Sequence, residues 1–421
     1  MKTKMTLQGR LFCLNGKPVY SEIPACPKAR LGMLMNARMI QGVFDDAADA
    51  ARFNRFGRVF DPEKNTDDLI AALPEWYQSG LRAITVGFQG GGPCCTIDVR
   101  TIRSNPFSPD GTSLDKACAA RMKKLIDACD ALGMVLICSF FYGHQCQYLA
   151  DDQAVMNAVK TASNWLREQA CTNVIIEIAN EQDITAYRCH PILFSPEGIA
   201  LLIDIARRES GGMPTGCSRT GGTFSPEIAR ASDVILLHGN DSSRQRVYEM
   251  ICRAKEILPA RPILINEDSQ ALSNMQAAVN EGVSWGYYNN MTKQEPPADW
   301  GITPGEDFFF ARRMAGLVGI PAAPLAPEDR FYLQGLEKNA EWQGKRWIRL
   351  AGFHAEDIDR VDFYRCGVKV GTSYDDPFFL NSVSSNWFVR PFPETIEAGE
   401  RWEAVVFLRD GTTVQTAATA E

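Results

Sequence analysis

Two apolar segments of this 421-residue chain each end in the dipeptide Asn-Glu. The first, residues 173–182, has the sequence Asn-Val-Ile-Ile-Glu-Ile-Ala-Asn-Glu-Gln, and its β-branched run is typical of a parallel strand buried on both faces. The second, residues 262–267, has the sequence Pro-Ile-Leu-Ile-Asn-Glu, and Glu267 follows Glu181 by 86 positions. A buried strand carries polar groups at its end only for a purpose, so we expect both glutamates to face one site.

Strand-like runs alternate with helical patterns along the first three-quarters of the chain. Besides the two Asn-Glu segments, strands are predicted at Leu31–Met35, Leu81–Phe88, Met134–Phe141, Thr215–Ser218, Val234–Leu237 and Val283–Tyr288. Helices are predicted at Asp45–Phe56, Thr66–Ser79, Asp115–Leu132, Asp151–Ala170, Pro196–Ser210 and Arg244–Leu258. This alternation predicts an α/β fold of the (β/α)8 TIM-barrel type. A six-stranded doubly wound sheet is the alternative, but no glycine fingerprint opens its first unit.

The two ends of the chain show the patterns of β-structure. Residues 7–20 alternate around Asn15-Gly16, a strong hairpin signal. After residues 321–328, a stiff segment rich in Pro and Ala, the hydrophobic period falls to two. We therefore predict a barrel with an N-terminal hairpin over residues 1–320 and a small all-β sandwich over residues 329–421.

Composition limits the classes of partner. The formal net charge of −7 disfavours nucleic acid and anionic membranes, whereas a neutral, hydroxyl-rich substrate is compatible with it. No apolar run reaches the ~18 residues of a membrane span. The oligomeric state stays open.

The thirteen cysteines predict reduced thiols and not a disulfide framework, because several lie in apolar strand or helix contexts. Cys94-Cys95 lacks the spacing of a zinc site, and no metal or organic cofactor is expected. The N-terminus has no apolar segment of a signal peptide. We expect a cytoplasmic protein, or a periplasmic or secreted one if a leader was removed.

The segment Asn173 to Glu181 resembles the strand-four signature of clan A (β/α)8 glycoside hydrolases, in particular the cellulase and mannanase family. Two positions depart from that family: Gln182 replaces its usual Pro, and Asn-Glu-Asp-Ser at 266–269 replaces Thr-Glu-Phe-Gly. The C-terminal pattern is similar to the immunoglobulin-like module often appended to bacterial glycosidases. The resemblance implies a hydrolase that acts on an oligosaccharide, polysaccharide or glycoside.

The resemblance also implies the catalytic roles. Glu181 would be the acid/base and Glu267 the nucleophile of a retaining enzyme that cleaves a β-glycosidic bond by double displacement. Asp268 competes with Glu267, because adjacent strand residues point to opposite sides. Glu177, within the strand, is predicted to be a paired structural carboxylate.

Further residues at strand ends are candidates for substrate binding. Asn180 would bond the 2-hydroxyl of the sugar, and Trp285 would form the aromatic floor of its subsite, with core packing as the alternative. The remaining candidates are His238, His144, Arg38, Gln89, Tyr142 and Tyr287.

Two other functions stay open: a non-catalytic carbohydrate-binding barrel, and an inverting or transglycosylating enzyme on the same scaffold. The carboxyl separation distinguishes retention from inversion. The sugar, the linkage, exo or endo action, and carbohydrate binding by the sandwich are not determined by the sequence.

Overall fold

The computed structural model describes residues 1–92, 96–341, 344–381 and 391–421. The predicted segment Cys94-Cys95 lies outside these ranges. A three-stranded antiparallel sheet opens the chain, formed by β1 (Met5–Gln8), β2 (Leu11–Leu14) and β3 (Lys17–Pro18). Asn15 and Gly16 connect the last two strands with φ values of 51° and 78°, the left-handed pair that a tight hairpin turn requires.

Eight parallel strand segments follow the hairpin and form the barrel. They are β4 (Asn36–Arg38), β5 (Ala83–Gly87), β6 (Val135–Phe141), β7 (Val174–Ala179), β8 (Thr215–Gly216), β9 (Ile235–His238), β10 (Ile263–Glu267) and β11 (Gly286–Tyr287). Strands β11-β4-β5-β6-β7-β8 are paired in this order, and β9 pairs with β10. A bridge from Leu264 to Ser284 and a hydrogen bond from Asp233 N to Thr215 O (2.8 Å) connect the two sets. The predicted (β/α)8 fold is confirmed.

Helices surround these strands. They are α1 (Pro62–Gln78), α2 (Lys116–Leu132), α3 (Asp152–Glu168), α4 (Pro191–Phe194), α5 (Pro196–Glu209), α6 (Pro226–Ala231), α7 (Arg244–Ile257), α8 (Leu272–Asn280), α9 (Asn290–Lys293) and α10 (Glu306–Leu317). Side-chain caps fix several starts: Asp61, Asp115 and Asp151 each accept a hydrogen bond from the backbone N–H three residues later. Among the described helices, none has the length and apolar character needed to cross a membrane.

Several predicted bounds differ from the structure: the helix predicted from Thr66 begins at Pro62, and the strand predicted at Val283–Tyr288 is Gly286–Tyr287. Two differences are larger. The helix predicted at Asp45–Phe56 is wrong, since only Ala50–Phe53 forms a short 3-10 turn. Asp46 accepts hydrogen bonds from the backbone N–H groups of Ala48 (3.0 Å) and Arg103 (2.9 Å), and these bonds hold an irregular loop in place of a helix.

The first barrel strand begins at Asn36, five residues later than predicted. The apolar residues before it instead contact the hairpin. Gly32 N donates to Val19 O (2.9 Å), and Phe12 N donates to Gly32 O (2.9 Å). The run at 31–35 is therefore buried without forming the barrel strand.

The C-terminal part contains two antiparallel sheets, as an all-β sandwich requires. Their strands are β12 (Phe331–Gln334), β13 (Arg349–Gly352), β14 (Ile358–Arg365), β15 (Val368–Ser373), β16 (Phe378–Phe379), β17 (Arg401–Leu408) and β18 (Thr413–Thr419). One sheet has the order β12-β13-β16 and the other β15-β14-β17-β18. The boundaries at 320 and 329 stay predictions.

Buried and half-buried ion pairs attach the sandwich to the barrel. Arg349 Nε donates to Glu306 Oε1 (2.8 Å), and both side chains are about 5% exposed. Arg313 Nη1 contacts Glu356 Oε2 at 2.8 Å. Both barrel residues belong to α10, so this helix is one of the contacts between the barrel and the sandwich.

Candidate active site

The two strand-end glutamates meet at the carboxyl end of the barrel. Glu267 ends β10 and is 5% exposed, whereas Glu181 follows β7 and is partly exposed. Glu181 has a φ of 50°, a backbone conformation that residues other than glycine rarely adopt. Its N–H donates to Ser218 Oγ (3.1 Å), and this bond supports the turn. Such strained backbone is concentrated at functional sites.

Asn240 bridges the carboxyl groups of Glu181 and Glu267 by donating a hydrogen bond to each. One oxygen of Glu181 and one of Glu267 lie within 4.8 Å of each other. Asn240 Nδ2, at the end of β9, donates to both: 3.0 Å to Glu267 Oε1 and 3.4 Å to Glu181 Oε1. The arrangement therefore presents two acidic groups to one small volume.

Arg38 at the end of β4 is the central cation of the site. Its Nε lies 2.7 Å from Glu267 Oε2, and its Nη2 donates to Asn180 Oδ1 at 2.6 Å. Nη1 lies 3.9 Å from the buried carboxylate of Glu177. Burial lowers the pKa of Arg38, but these carboxylates outweigh it and raise the pKa above its ordinary value.

His238, at the end of β9, is fully buried between three carboxylates. Its Nδ1 lies 3.2 Å from Glu181 Oε1 and 3.4 Å from Glu267 Oε2, and its Nε2 lies 3.7 Å from a Glu177 oxygen. Burial lowers the pKa of His238, but the three glutamates outweigh this effect and raise it to about 10. The ring is thus an imidazolium at neutral pH.

Two of these carboxylates have opposite pKa shifts: the pKa of Glu177 is lowered and that of Glu267 is raised. Burial opposes ionisation of Glu177, but His238, Arg38 and Asn266 lower its pKa to about 2. For Glu267, burial and the repulsion from Glu181 and Glu177 outweigh the attraction of Arg38 and His238, and its pKa rises to about 7. Glu177 is a paired buried carboxylate, as expected from its position within the strand.

Asp268, the competitor of Glu267, points to the other side of β10. It accepts hydrogen bonds from Trp285 Nε1 (2.8 Å), Asn274 Nδ2 (3.3 Å) and Ser269 N (2.7 Å). The alternation of side chains along a strand therefore places Glu267, and not Asp268, beside Glu181.

Two predicted sugar-binding residues, Trp285 and Tyr287, do not reach the site. Trp285 is fully buried and packs on Phe310 of α10, with ring centroids 5.8 Å apart. Tyr287 stacks on the same ring at 4.5 Å and donates to Asp307 Oδ1 (2.7 Å). Both side chains face outward into the layer of helices, which favours the core-packing alternative for Trp285 and gives Tyr287 a structural hydrogen bond.

Tyr288, which the sequence analysis missed, lies on the opposite side from its neighbour Tyr287. Its ring centroid is 5.7 Å from the Arg38 guanidinium. A period of two along residues 285–288 separates Trp285 and Tyr287 from Tyr288, so the signal was present. Asn240 was also missed, although it follows a predicted strand in the same way as Asn180.

The remaining candidates, Gln89, Tyr142 and His144, follow strands β5 and β6 at the carboxyl end of the barrel. Gln89 is buried; its Nε2 donates to Asn105 Oδ1 (2.8 Å) and its Oε1 accepts from Tyr142 N (2.8 Å), so it holds two loops together. The Tyr142 ring packs against Gly91. His144 lies in the 3-10 turn Gly143–Tyr148, near Asp98 and Arg100.

Within the described part of the chain, two groups of side chains have ligand atoms close enough for a metal ion: Glu181, His238 and Glu267, and separately Cys146, Cys189 and His190. In the first, the Arg38 guanidinium already occupies the side of Glu267 where a cation would bind. In the second, Cys146 Sγ lies 3.3 Å from Cys189 Sγ, and His190 Nε2 lies 2.9 Å from the carbonyl oxygen of Cys146. That nitrogen is thus occupied by a backbone hydrogen bond.

No protein-family model and no curated protein sequence matches this chain. A solved structure from Bacteroides vulgatus, provisionally described as a glycoside hydrolase, matches 100% of this chain and 81% of its own, with 10% identity and a TM-score of 0.52. A β-glucuronidase from Parabacteroides merdae matches 100% of this chain and 50% of its own, with 12% identity and a TM-score of 0.44. The chain thus spans about half the length of this β-glucuronidase. The likeness to the Bacteroides vulgatus structure supports a glycoside hydrolase fold, but not the cellulase and mannanase family in particular.

Proposed function

We propose that this chain is a retaining glycoside hydrolase that cleaves a β-glycosidic bond. The observation that carries the proposal is the pair Glu181 and Glu267 at the carboxyl end of the barrel, where one oxygen of the first lies within 4.8 Å of one oxygen of the second. Retaining enzymes hold their carboxyl groups about 5–5.5 Å apart, whereas inverting enzymes need about 6.5–9.5 Å to admit a water molecule. The short separation supports the retaining mechanism.

Glu267 is the nucleophile in this proposal. It is nearly buried, and Arg38 Nε at 2.7 Å fixes the orientation of its carboxylate. The ionised oxygen attacks the anomeric carbon, the bond to the leaving oxygen breaks, and a glycosyl ester forms on Glu267. Arg38 and the His238 imidazolium stabilise the carboxylate when it is released again.

Glu181 is the acid/base. Its side chain is 18% exposed, more than that of Glu267, as a group that meets the leaving group and then water needs to be. It donates its proton to the glycosidic oxygen in the first step and takes a proton from the attacking water in the second. The hydrogen bond from Asn240 and the contact with His238 hold it beside the nucleophile.

Asn180 has a binding role in this mechanism. Arg38 Nη2 donates to its Oδ1 at 2.6 Å, which fixes the amide plane and leaves Nδ2 directed as a donor. A hydrogen bond from such a donor to the 2-hydroxyl strengthens in the transition state.

A panel of 4-nitrophenyl β-glycosides tests the proposal. We expect at least one sugar to be released, and proton NMR of the first product to show the β-anomer before mutarotation. A matching 2-deoxy-2-fluoro glycoside should add one sugar mass to the peptide that contains Glu267. Appearance of the α-anomer, or label on another residue, would contradict the assignment.

The carbohydrate-binding alternative makes a different prediction in the same experiment. A barrel without chemistry would bind glycosides and release no 4-nitrophenol. The contact of Arg38 with both Glu267 and Asn180 favours the enzyme, because it holds a carboxylate and an amide side by side, as the double-displacement mechanism needs them for the anomeric carbon and the 2-hydroxyl.

A further inference from the structure

A groove with a volume of about 680 Å³ lies between the barrel and the sandwich. Its barrel wall consists of residues 241–245, after β9, together with Ser269 and Ser273, after β10. Its sandwich wall consists mainly of residues 372–378. The volume is within the range of about 300–1,000 Å³ usual for ligand sites.

The groove begins next to the catalytic pair. Asn240 donates to both Glu181 and Glu267, and the following residue, Asp241, lines the groove. Partial desolvation and the charges of the two glutamates raise the pKa of Asp241, which shows that its carboxyl group is near them. A ligand chain that leaves the carboxyl pair on this side of the barrel would enter the groove.

The lining of the groove suits a neutral, hydroxyl-rich ligand. Ser242, Ser243, Ser269, Ser273, Asn274 and Thr372 supply hydroxyl and amide groups. Asp241, Asp375 and Asp376 are offset by Arg244 and Arg409, so the walls have no large excess of one charge. A polyanion or a polycation would therefore find no complementary surface here.

Tyr374 provides the apolar surface of the groove. Its side chain lies in the sandwich wall and is 64% exposed, a large aromatic surface with little covering. Sugars stack on such rings through their C–H faces.

The two walls are fixed relative to each other. Ser273 N on α8 donates to Asp376 Oδ2 in the sandwich (3.0 Å), and Phe378 beneath the wall is buried. The loop that carries Tyr374 is thus hydrogen-bonded to the barrel. The position of the ring in the groove therefore does not depend on a hinge motion between barrel and sandwich.

We propose that this groove binds further sugar units of a neutral oligosaccharide whose scissile bond lies at Glu181 and Glu267, with Tyr374 as the stacking residue. The inference rests on the proposed hydrolase activity and specifies its substrate class: the enzyme acts on a glycan chain and not only on a terminal monosaccharide glycoside. It also gives the sandwich a part in substrate binding.

The test compares chain lengths. For the sugar hydrolysed in the 4-nitrophenyl panel, kcat/KM is measured on substrates of one to four units with the native full chain, Tyr374→Ala and Tyr248→Ala. Tyr248 lies on α7, is 44% exposed and does not line the groove, so it is the matched control. Tetrasaccharide binding to the same three proteins is measured by calorimetry with cello-, manno-, xylo- and galacto-oligosaccharides.

We expect kcat/KM of the native enzyme to increase with chain length, and Tyr374→Ala to lower the value for four units about five- to tenfold while the one-unit value stays unchanged. Tyr248→Ala should leave both unchanged. Equal kcat/KM values of the native enzyme for one and four units would overturn the proposal that the groove binds sugar units. Equal losses of kcat/KM for both lengths in Tyr374→Ala would overturn it as well. Either result would leave the hydrolase proposal intact.

The calorimetry separates the two proposals if no substrate is hydrolysed. Tetrasaccharide binding that is weakened by Tyr374→Ala and not by Tyr248→Ala would support the groove although the hydrolase proposal fails. Absence of both hydrolysis and binding would overturn both.

Discussion

Two buried charge clusters lie on opposite sides of β11, and they differ in the number of donors that each carboxylate receives. On the outer side, Asp307 of α10 accepts hydrogen bonds from Tyr287 OH (2.7 Å), Asn289 Nδ2 (2.9 Å), Lys293 Nζ (2.8 Å) and Thr303 Oγ1 (2.8 Å). Burial opposes its ionisation, but Lys293 and these donors lower the pKa of Asp307. One carboxylate with one cation and three neutral side-chain donors is a structural ion pair.

On the inner side, three carboxylates share two cations. Arg38 and His238 lie among Glu177, Glu181 and Glu267, and the cations cannot fully satisfy all three. Glu177 receives the strongest stabilisation, while the pKa of Glu267 rises to about 7. The comparison shows that a deficit of cations, and not burial alone, accompanies the raised pKa of Glu267, whereas the pKa of the also buried Asp307 is lowered.

The largest expected effect is the loss of activity in Glu267→Gln. Removal of the proposed nucleophile should lower kcat/KM for the 4-nitrophenyl substrate by at least about 10⁴-fold. Circular dichroism should show an unchanged fold. An activity within tenfold of the native enzyme would assign the nucleophile to another residue.

The next effect concerns stability on the outer side. Asp307→Asn leaves the Lys293 ammonium, 1% exposed, without its counter-charge, and should reduce the free energy of unfolding by about 3–5 kcal/mol. Urea denaturation measures the change. Asp359→Asn, at a half-exposed carboxylate 3.6 Å from Arg360, is the control and should have no measurable effect. Equal urea midpoints for Asp307→Asn and Asp359→Asn would contradict a structural role of Asp307.

On the inner side the corresponding substitution should have the opposite sign. The folded-state pKa of Glu267, about 7, lies above its ordinary value of 4.5, so ionisation increasingly opposes folding as the pH rises from 4.5 to 7. Glu267→Gln removes this cost and should be more stable than the native protein at pH 7.5 by about 1–3 kcal/mol, and less so at pH 5. Urea denaturation at the two pH values tests this expectation. If Glu267→Gln is less stable than the native protein at both, the ionised Glu267 carboxylate does not oppose folding.

The smallest effect is a shift of the pH profile in Glu181→Gln. In the native enzyme the rate should rise with pH through about 7, as Glu267 ionises. Glu181 is one of the groups that raise the pKa of Glu267, so replacing it with neutral Gln should move this limb to lower pH. A 2,4-dinitrophenyl glycoside, whose leaving group needs no proton, gives the measurement, with Glu249→Gln on α7 as control. An unchanged pH dependence in Glu181→Gln would show that the carboxyl groups of Glu181 and Glu267 are not electrostatically coupled.

Much of the barrel could be predicted because its signals are local. Apolar runs such as residues 174–179 and their polar ends are defined by neighbours in the chain, and the caps Asp115 and Asp151 begin helices by bonding backbone three residues away. The helix predicted at Asp45–Phe56 fails for the opposite reason. Its Asp46 finds partners in Arg52 and Arg103, the second of them 57 positions away.

An α/β barrel with two glutamates at strand ends follows from the sequence, since strand pattern and side-chain order are properties of the chain. Contacts in three dimensions turn Asp268 and Trp285 toward the helices, bring Tyr288 to Arg38, and raise the pKa of Glu267 to about 7. These outcomes depend on contacts such as that of Arg38 with Asn180, 142 positions apart. Electrostatic and packing energies depend on distances in space, which a sequence pattern does not contain.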